Sequence, residues 1–442
     1  MIDSENRTQC CIVGGGPAGI MLGYLLARAG VRVTILEKHK DFFRDFRGDT
    51  VHPSTLQLLL ELGLLERFLK VPHQKVSSVG INLGGEGFEV ANFGHLSTYC
   101  RYALIMPQWD FLNFMAEEGK KYPGFDLRME HEAVGVLEDG GRTTGVRVQT
   151  HEGAIEIQAD LVVACDGRHS TVRNARPLAM TEFGVPIDVL WFRLTRREDA
   201  AEQVLGYVNY GKLIVLINRN DYYQAAFIIR KGSFGDIQKE GLEAFRNSIT
   251  QIVPFLQDSV EELKDWDQVK LLSVQINRLK RWYRPGLLFI GDSAHAMSPV
   301  FGVGINLAIQ DAVATANILN GALRAGSSTD ELLPLVQRDR ELRTRVTQRL
   351  QAIAHANFKY VFRNPGPLRV APWVKFILRS HLLQPALLRV VGAGIVPEHI
   401  AIPGVRRSNA GSLARRVGVA VGATVGAAAV AWWALRRRHR EV

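Results

Sequence analysis

Gly14, Gly16 and Gly19 stand in a G-x-G-x-x-G spacing, and Glu37 follows 18 residues after Gly19. The first glycine permits a tight turn, the second lets backbone approach a pyrophosphate, and the third lets a helix pack closely on a sheet. A helix opening there presents unpaired N–H groups and the positive end of its dipole to phosphates. Glu37 is placed to accept hydrogen bonds from a ribose; its plain alternative is a solvated charge at a strand end. Two further acid–glycine pairs each follow an apolar run: Asp166-Gly167 after Leu161–Ala164, and Gly291-Asp292 after Leu287–Ile290. Beyond them Gly302 and Gly304 precede Ile305 and Asn306, with Asp311 further on. Two glycines allow backbone to reach the edge of a planar ring, and a helix starting there aims its positive end at that ring.

The pattern around these residues supplies the elements that hold them. Gln9–Val13 reads as a strand, Ile20–Ala29 as an apolar helix stopped by Gly30, and Val31–Leu36 as a second buried strand, which together make a βαβ unit. Helices are expected over Ser54–Leu65 and Pro107–Lys120, a hairpin over Thr143–Thr150 and Ala154–Ala159, and a separate buried strand over Leu161–Ala164. From Asp188 to Ile229 the texture becomes that of an antiparallel sheet, with strands Val189–Leu194, Leu213–Ile217 and Tyr222–Ile229. Alternation puts Tyr223, Ala225 and Phe227 on one face of the last strand and Tyr222, Gln224 and Ala226 on the other. Which face meets a substrate stays open. The α/β framework returns at Gly286–Ile290, and beyond Asp330 the chain reads as mostly helical.

With Arg47 in Phe-Arg-Gly-Asp-Thr-Val-His-Pro-Ser, this ordered set resembles the flavoprotein monooxygenases of the p-hydroxybenzoate hydroxylase type, over about residues 8–345. The resemblance implies an α/β fold: a Rossmann-like FAD-binding domain with an inserted antiparallel β-sheet substrate domain; to these the tail residues of this chain add a helical C-terminal region expected to end in a transmembrane helix. The implied division is 1–180 for FAD, with 78–103 joining the substrate sheet, then 181–270 for substrate and 271–345 completing the FAD domain. Residues 346–405 form the helical region, and 406–442 the linker and anchor. The resemblance also implies that Gly14, Gly16 and Gly19 cradle the FAD pyrophosphate, Glu37 holds the adenosine ribose, and Arg47 lies against the cofactor. Gln108 would touch the ribityl region, Asp292 would bind ribityl hydroxyls, and Asp166-Gly167 would serve FAD and NAD(P)H together. Further cofactor contacts are expected from Pro17, Ala18, Lys38, Val134, Gly291, Pro299, Gly302, Gly304, Ile305 and Asn306.

FAD is thus the expected cofactor, with NADPH or NADH as transient reductant and O2 as co-substrate. The implied reaction is hydroxylation of a lipophilic, aromatic or phenolic small molecule through a flavin hydroperoxide, which needs a dry pocket. Two other readings compete: a reductase or dehydrogenase acting on a quinone or isoprenoid lipid, and a non-catalytic FAD-fold binding protein. No catalytic acid or base is assigned. His295 reads as a structural hydrogen-bonder, and Phe301 stands where relatives often carry a small residue. A homodimer is among the expectations.

Composition excludes other classes. At 442 residues, 47% hydrophobic and 22% charged, the chain is an ordinary globular one. Its net charge of +10 lies in the tail, because residues 362–442 carry 13 Lys/Arg against Glu398 and Glu441. A body-wide nucleic-acid surface is therefore not expected. Cys10, Cys11, Cys100 and Cys165 have no metal-ligand spacing, so no metal is expected, and with no signal-peptide pattern at Met1–Arg7 a cytoplasmic body is expected. Val417–Leu435 is 19 residues without a charge, with Trp432 and Trp433 at one end and Arg436–Arg438 following at once. As a helix it spans roughly 28 Å, close to a bilayer core, so a membrane anchor is expected, with a soluble Gly/Ala helix docked on the body as its alternative. Gly418, Gly422 and Gly426 would let two such helices approach, and Lys375–Val391 offers basic, apolar surface contact, with packing onto the body as its alternative.

Overall fold

The computed structural model describes residues 6–43, 50–96, 98–175, 177–196, 204–379 and 397–405. Five parallel strands form the centre of an eight-stranded sheet, in the order Leu287–Phe289, Gly153–Ala164, Arg7–Val13, Val33–Leu36, Phe125–Arg128. Buried on both faces, they read as continuous apolar runs rather than alternating ones. Cys10 and Ile12 pack to one side with helices Pro17–Arg28, Gln108–Gly119 and Gly304–Arg324, while Cys11 and Val13 pack to the other with the hairpin strands. Burial raises the Cys10 thiol pKa and pushes that of Cys11 to about 12, so both act as small apolar fillers.

The second strand of the expected hairpin and the buried strand after it are one element. Gly153–Ala164 pairs with Arg142–Thr150 along its outer half and runs parallel to Arg7–Val13 along its inner half. The change from alternating to continuous burial along this single strand explains why its sequence looks like two.

A second sheet has seven strands, in the order Lys270–Leu272, Ile187–Thr195, Tyr222–Arg230, Lys212–Asn218, Val204–Asn209, Ser78–Leu83, Glu86–Asn92. The expectation of a wholly antiparallel sheet is corrected at one place, since Val204–Asn209 and Ser78–Leu83 run parallel. Those two strands come from distant chain segments, so no hairpin turn forces them antiparallel. Tyr223, Ala225, Phe227 and Ile229 face helix Leu242–Ile252 and form a closed apolar core with Phe245 and Ile249. The opposite face carries Trp191, Val215, Ala226 and Ile228, and it packs towards Val300 and Phe358 of the other half of the molecule.

Helix Leu333–Arg363 joins the two sheets in an unusual way: its buried side is polar. Gln337, Arg340, Thr344, Gln348, Gln351 and His355 recur at three- and four-residue spacing and are all buried. Among the described residues no helix is long and apolar enough to cross a membrane. The span expected at 417–435 lies outside the described residues.

Candidate cofactor and substrate site

The glycine positions are fixed by what a side chain would strike. Gly14 has φ +106°, and a Cβ there would stand 2.5 Å from the Cys165 carbonyl oxygen. A Cβ on Gly19 would collide with the Gly14 carbonyl oxygen, so helix and turn meet only without one. Gly16 differs: a Cβ there meets nothing within 4 Å. The protein itself does not require a glycine at Gly16, whereas a phosphate group lying against the backbone would. Helix Pro17–Arg28 begins here with Pro17 in its first turn, and its N-cap, Gly16, supplies no capping side chain. Its first N–H groups are thus left for an anion.

Two other loops converge on this turn, and a third, at Gly302, lies against Thr50 and His52. Gly291 has φ +63°, and a Cβ on it would sit 3.4 Å from both the Ala18 and Ala308 methyls. Ser293 Oγ donates to the Ala164 carbonyl at 2.6 Å, and Arg173 Nη1 donates to the Ser293 carbonyl at 2.7 Å, tying the loops after both acid–glycine motifs together. Gly302 has φ +61°, and a Cβ there would stand 3.3 Å from Thr50 Oγ1 and 3.8 Å from His52 Nε2. Arg47 lies just before this stretch, outside the described residues.

Glu37 is held by its own backbone surroundings: Oε2 accepts the Gly15 N–H and Oε1 the His39 N–H, each at 3.1 Å. Lys38 is exposed and lies 3.8 Å from Glu132, and Val134 is 50% exposed. Asp166 Oδ2 accepts the Val172 N–H at 3.1 Å, while Oδ1 is buried without a partner among the described residues. Desolvation raises the Asp166 pKa, partly offset by hydrogen bonds from Ser170 and Val172. Gly167 follows it with φ +80°. Asp292 lies half-buried, 3.8 Å from Arg168, and Gln108 opens helix Gln108–Gly119. An orphaned buried acceptor, an uncapped helix and an open Gly16 suit a dinucleotide with hydroxyl donors.

Pro299 is followed by Phe301, whose φ of +72° is the left-handed conformation that bulky residues avoid. A Cβ on Gly304 meets nothing within 4 Å, and helix Gly304–Arg324 starts there, its N-cap Val303 having no capping side chain. Ile305 packs at the margin of the main core. The Asn306 side chain is already engaged: Oδ1 accepts the His52 N–H at 3.0 Å and the Thr55 hydroxyl at 2.7 Å, and Nδ2 donates to the Thr50 carbonyl at 3.2 Å. It braces the loop instead of facing a ligand with its polar atoms. His295 Nε2 meets Asp311 Oδ2 at 2.6 Å, the structural bond expected of it.

What the sequence did not disclose is the scaffold behind the loop. Gln351 accepts the Ser298 N–H at 3.1 Å and donates to the Ser298 and Val300 carbonyls, both at 2.9 Å. Gln348 donates to the Asn277 and Ala296 carbonyls, and His355 Nε2 meets Ser298 Oγ at 2.9 Å. The available signal was a stripe of buried-type spacing occupied by glutamines on a long helix.

A family profile described as FAD binding domain matches residues 7–350. The chain is 30% identical over 349 residues to a 6-methylpretetramide 4-monooxygenase of Streptomyces rimosus, covering 78% of this chain and 83% of that protein. It is 29% identical to a rifampicin monooxygenase of Streptomyces venezuelae over 68% of this chain, and it spans only 61% of that relative's length. Among solved structures, PqsL of Pseudomonas aeruginosa, a probable FAD-dependent monooxygenase, superposes with a TM-score of 0.67 at 22% identity. That match covers 81% of this chain and 100% of PqsL, and it speaks for the fold.

Proposed function

The chain belongs to the FAD-binding-domain family of flavoprotein monooxygenases, and from that premise we propose that it hydroxylates a large, apolar aromatic or phenolic compound. FAD is its cofactor and NAD(P)H the family's usual reductant. The observation that carries the proposal is the apolar sheet face of Trp191, Val215, Ala226 and Ile228 turned towards Val300, next to the Gly302–Gly304 turn. Such a face excludes water and gives a flat hydrocarbon ring a surface to lie on. The two relatives named above act, by their names, on a pretetramide and on rifampicin, which favours a bulky substrate.

Once reduced, FAD supplies the electrons that activate dioxygen. Gly14, Gly16 and the uncapped start of helix Pro17–Arg28 would hold its pyrophosphate, and Glu37 its ribose. Asp292 would take the ribityl hydroxyls. The N–H groups at the start of helix Gly304–Arg324 would stabilise negative charge on the adjacent ring. These donors are preorganised, because Gln351 and Asn306 fix the backbone on either side of the turn.

The test is a screen of fused-ring phenols and quinones against the purified full chain, scored by NAD(P)H oxidation under air. Stimulation by such compounds, with an oxygenated product, supports the reading. Stimulation by quinones alone, with the quinone reduced and no oxygen inserted, replaces it with the reductase reading.

A further inference from the structure

Gln224 is the one polar interruption on strand Tyr222–Arg230 between the hairpin end and the apolar face. It pairs in register with Arg193 and Ile217 and is 5% exposed. Its Oε1 accepts two N–H groups from Arg219, Nε at 3.3 Å and Nη2 at 3.1 Å. A guanidinium only donates, so the amide orientation is settled: oxygen towards Arg219, nitrogen away from it. That nitrogen, Nε2, is buried without a partner among the described residues. A desolvated donor left without an acceptor is costly, which marks the position as waiting for one.

Its surroundings say what the acceptor belongs to. Gln224 shares its face with Ala226 and, across the strands, with Ile217, Val215 and Trp191, the surface that packs towards Val300. Arg219 is near enough to Asp110 to lower that carboxyl's pKa against the rise that burial imposes. Asp110 lies in the first turn of the helix that Gln108 opens. Gln74 hydrogen-bonds the same turn at Asn218 and Asn220, which fixes it against the other half of the molecule. The amide oxygen thus faces Arg219 and the Gln108 helix, and the free N–H2 lies on the other side, at the edge of the apolar face.

We propose that Gln224 Nε2 is the substrate-orienting donor, taking a phenolate or ring-carbonyl oxygen of the aromatic compound whose hydrocarbon surface covers Trp191 and Ala226. Arg219 is its positioning residue: the charge behind the amide strengthens the N–H as a donor and favours an anionic acceptor. This rests on the hydroxylase reading above. Gln224→Glu is the informative change, because it keeps the size and the Arg219 contact while replacing the donor by an acceptor.

The experiment titrates FAD-loaded full-length protein with 1,4-naphthoquinone, whose ring oxygens can only accept, and with naphthalene, following the flavin absorbance. The unchanged protein is expected to bind 1,4-naphthoquinone at least tenfold more tightly. Gln224→Glu should bring the two dissociation constants within about twofold, with FAD content and naphthalene affinity preserved. A retained tenfold preference in Gln224→Glu overturns this proposal and leaves the hydroxylase reading standing. Absence of any spectral response to either compound or to larger fused-ring phenols overturns both.

Discussion

Asp311 and Arg340 face each other without solvent access, Oδ1 to Nε at 2.8 Å. Asp311 Oδ2 accepts the Gly291 N–H at 3.0 Å, so one carboxylate joins the long C-terminal helix to the Gly291-Asp292 loop. Arg340 also reaches Glu398, extending the link to the segment around Ile400. The Asp311 carboxyl pays its desolvation through His295 and Arg340, which hold its pKa at about 2.

Asp311→Asn is expected to destabilise the fold by about 3–5 kcal/mol, because it leaves a buried guanidinium short of its charge partner. The pH dependence follows from a folded-state pKa below the unfolded value of about 3.9. The stabilisation is complete above about pH 4 and is lost as pH falls towards 2. Urea unfolding from pH 6 to pH 2.5 checks it, and the variant's curve should be flatter in that acid range.

Gly16→Ala separates the needs of the cofactor from those of the fold. The added methyl meets no protein atom within 4 Å, and φ is an ordinary −73°. Apoprotein stability should change by no more than about 0.5 kcal/mol, while bound flavin per chain falls at least tenfold. Gly14→Ala should instead damage folding itself, given φ +106° and the Cys165 carbonyl at 2.5 Å. Flavin absorbance and thermal unfolding of the two variants are the measurements.

Gln351→Met is nearly isosteric and strands three backbone groups of Ser298 and Val300. A loss of at least about 2 kcal/mol is expected. The loosened loop should also release flavin faster, which a stopped-flow fluorescence trace reads.

Phe301→Gly removes a left-handed strain of roughly 1–2 kcal/mol, although glycine's greater freedom when unfolded returns about 0.5–1 kcal/mol of it. The variant should unfold at or slightly above the urea midpoint of the unchanged protein. Phe301→Ala keeps the φ of +72° with a Cβ attached, and should fall below the glycine variant.

The glycine motifs were legible because their constraint is local: a positive φ or an absent Cβ shows in the residue type. The βαβ start and the inserted sheet were legible from periodicity. The strand Val204–Asn209 and the parallel direction of its pairing with Ser78–Leu83 were not, since that pairing depends on chain 120 or so residues away. The polar stripe of helix Leu333–Arg363 escaped for a related reason, because its partners are backbone atoms of Asn277 to Val300. Alternation gave the two faces of Tyr222–Arg230, but only the packing of Phe245 against one and Val300 near the other tells them apart.

The central claim is that an aromatic ring held on the Trp191–Ala226 face receives one atom of dioxygen. The most direct measurement is turnover of a stimulating aromatic substrate under 18O2, with NAD(P)H consumption counted alongside. One 18O atom in the product for each NAD(P)H oxidised is the predicted result. A product free of label, with the reducing equivalents recovered in hydrogen peroxide or a reduced quinone, would contradict it.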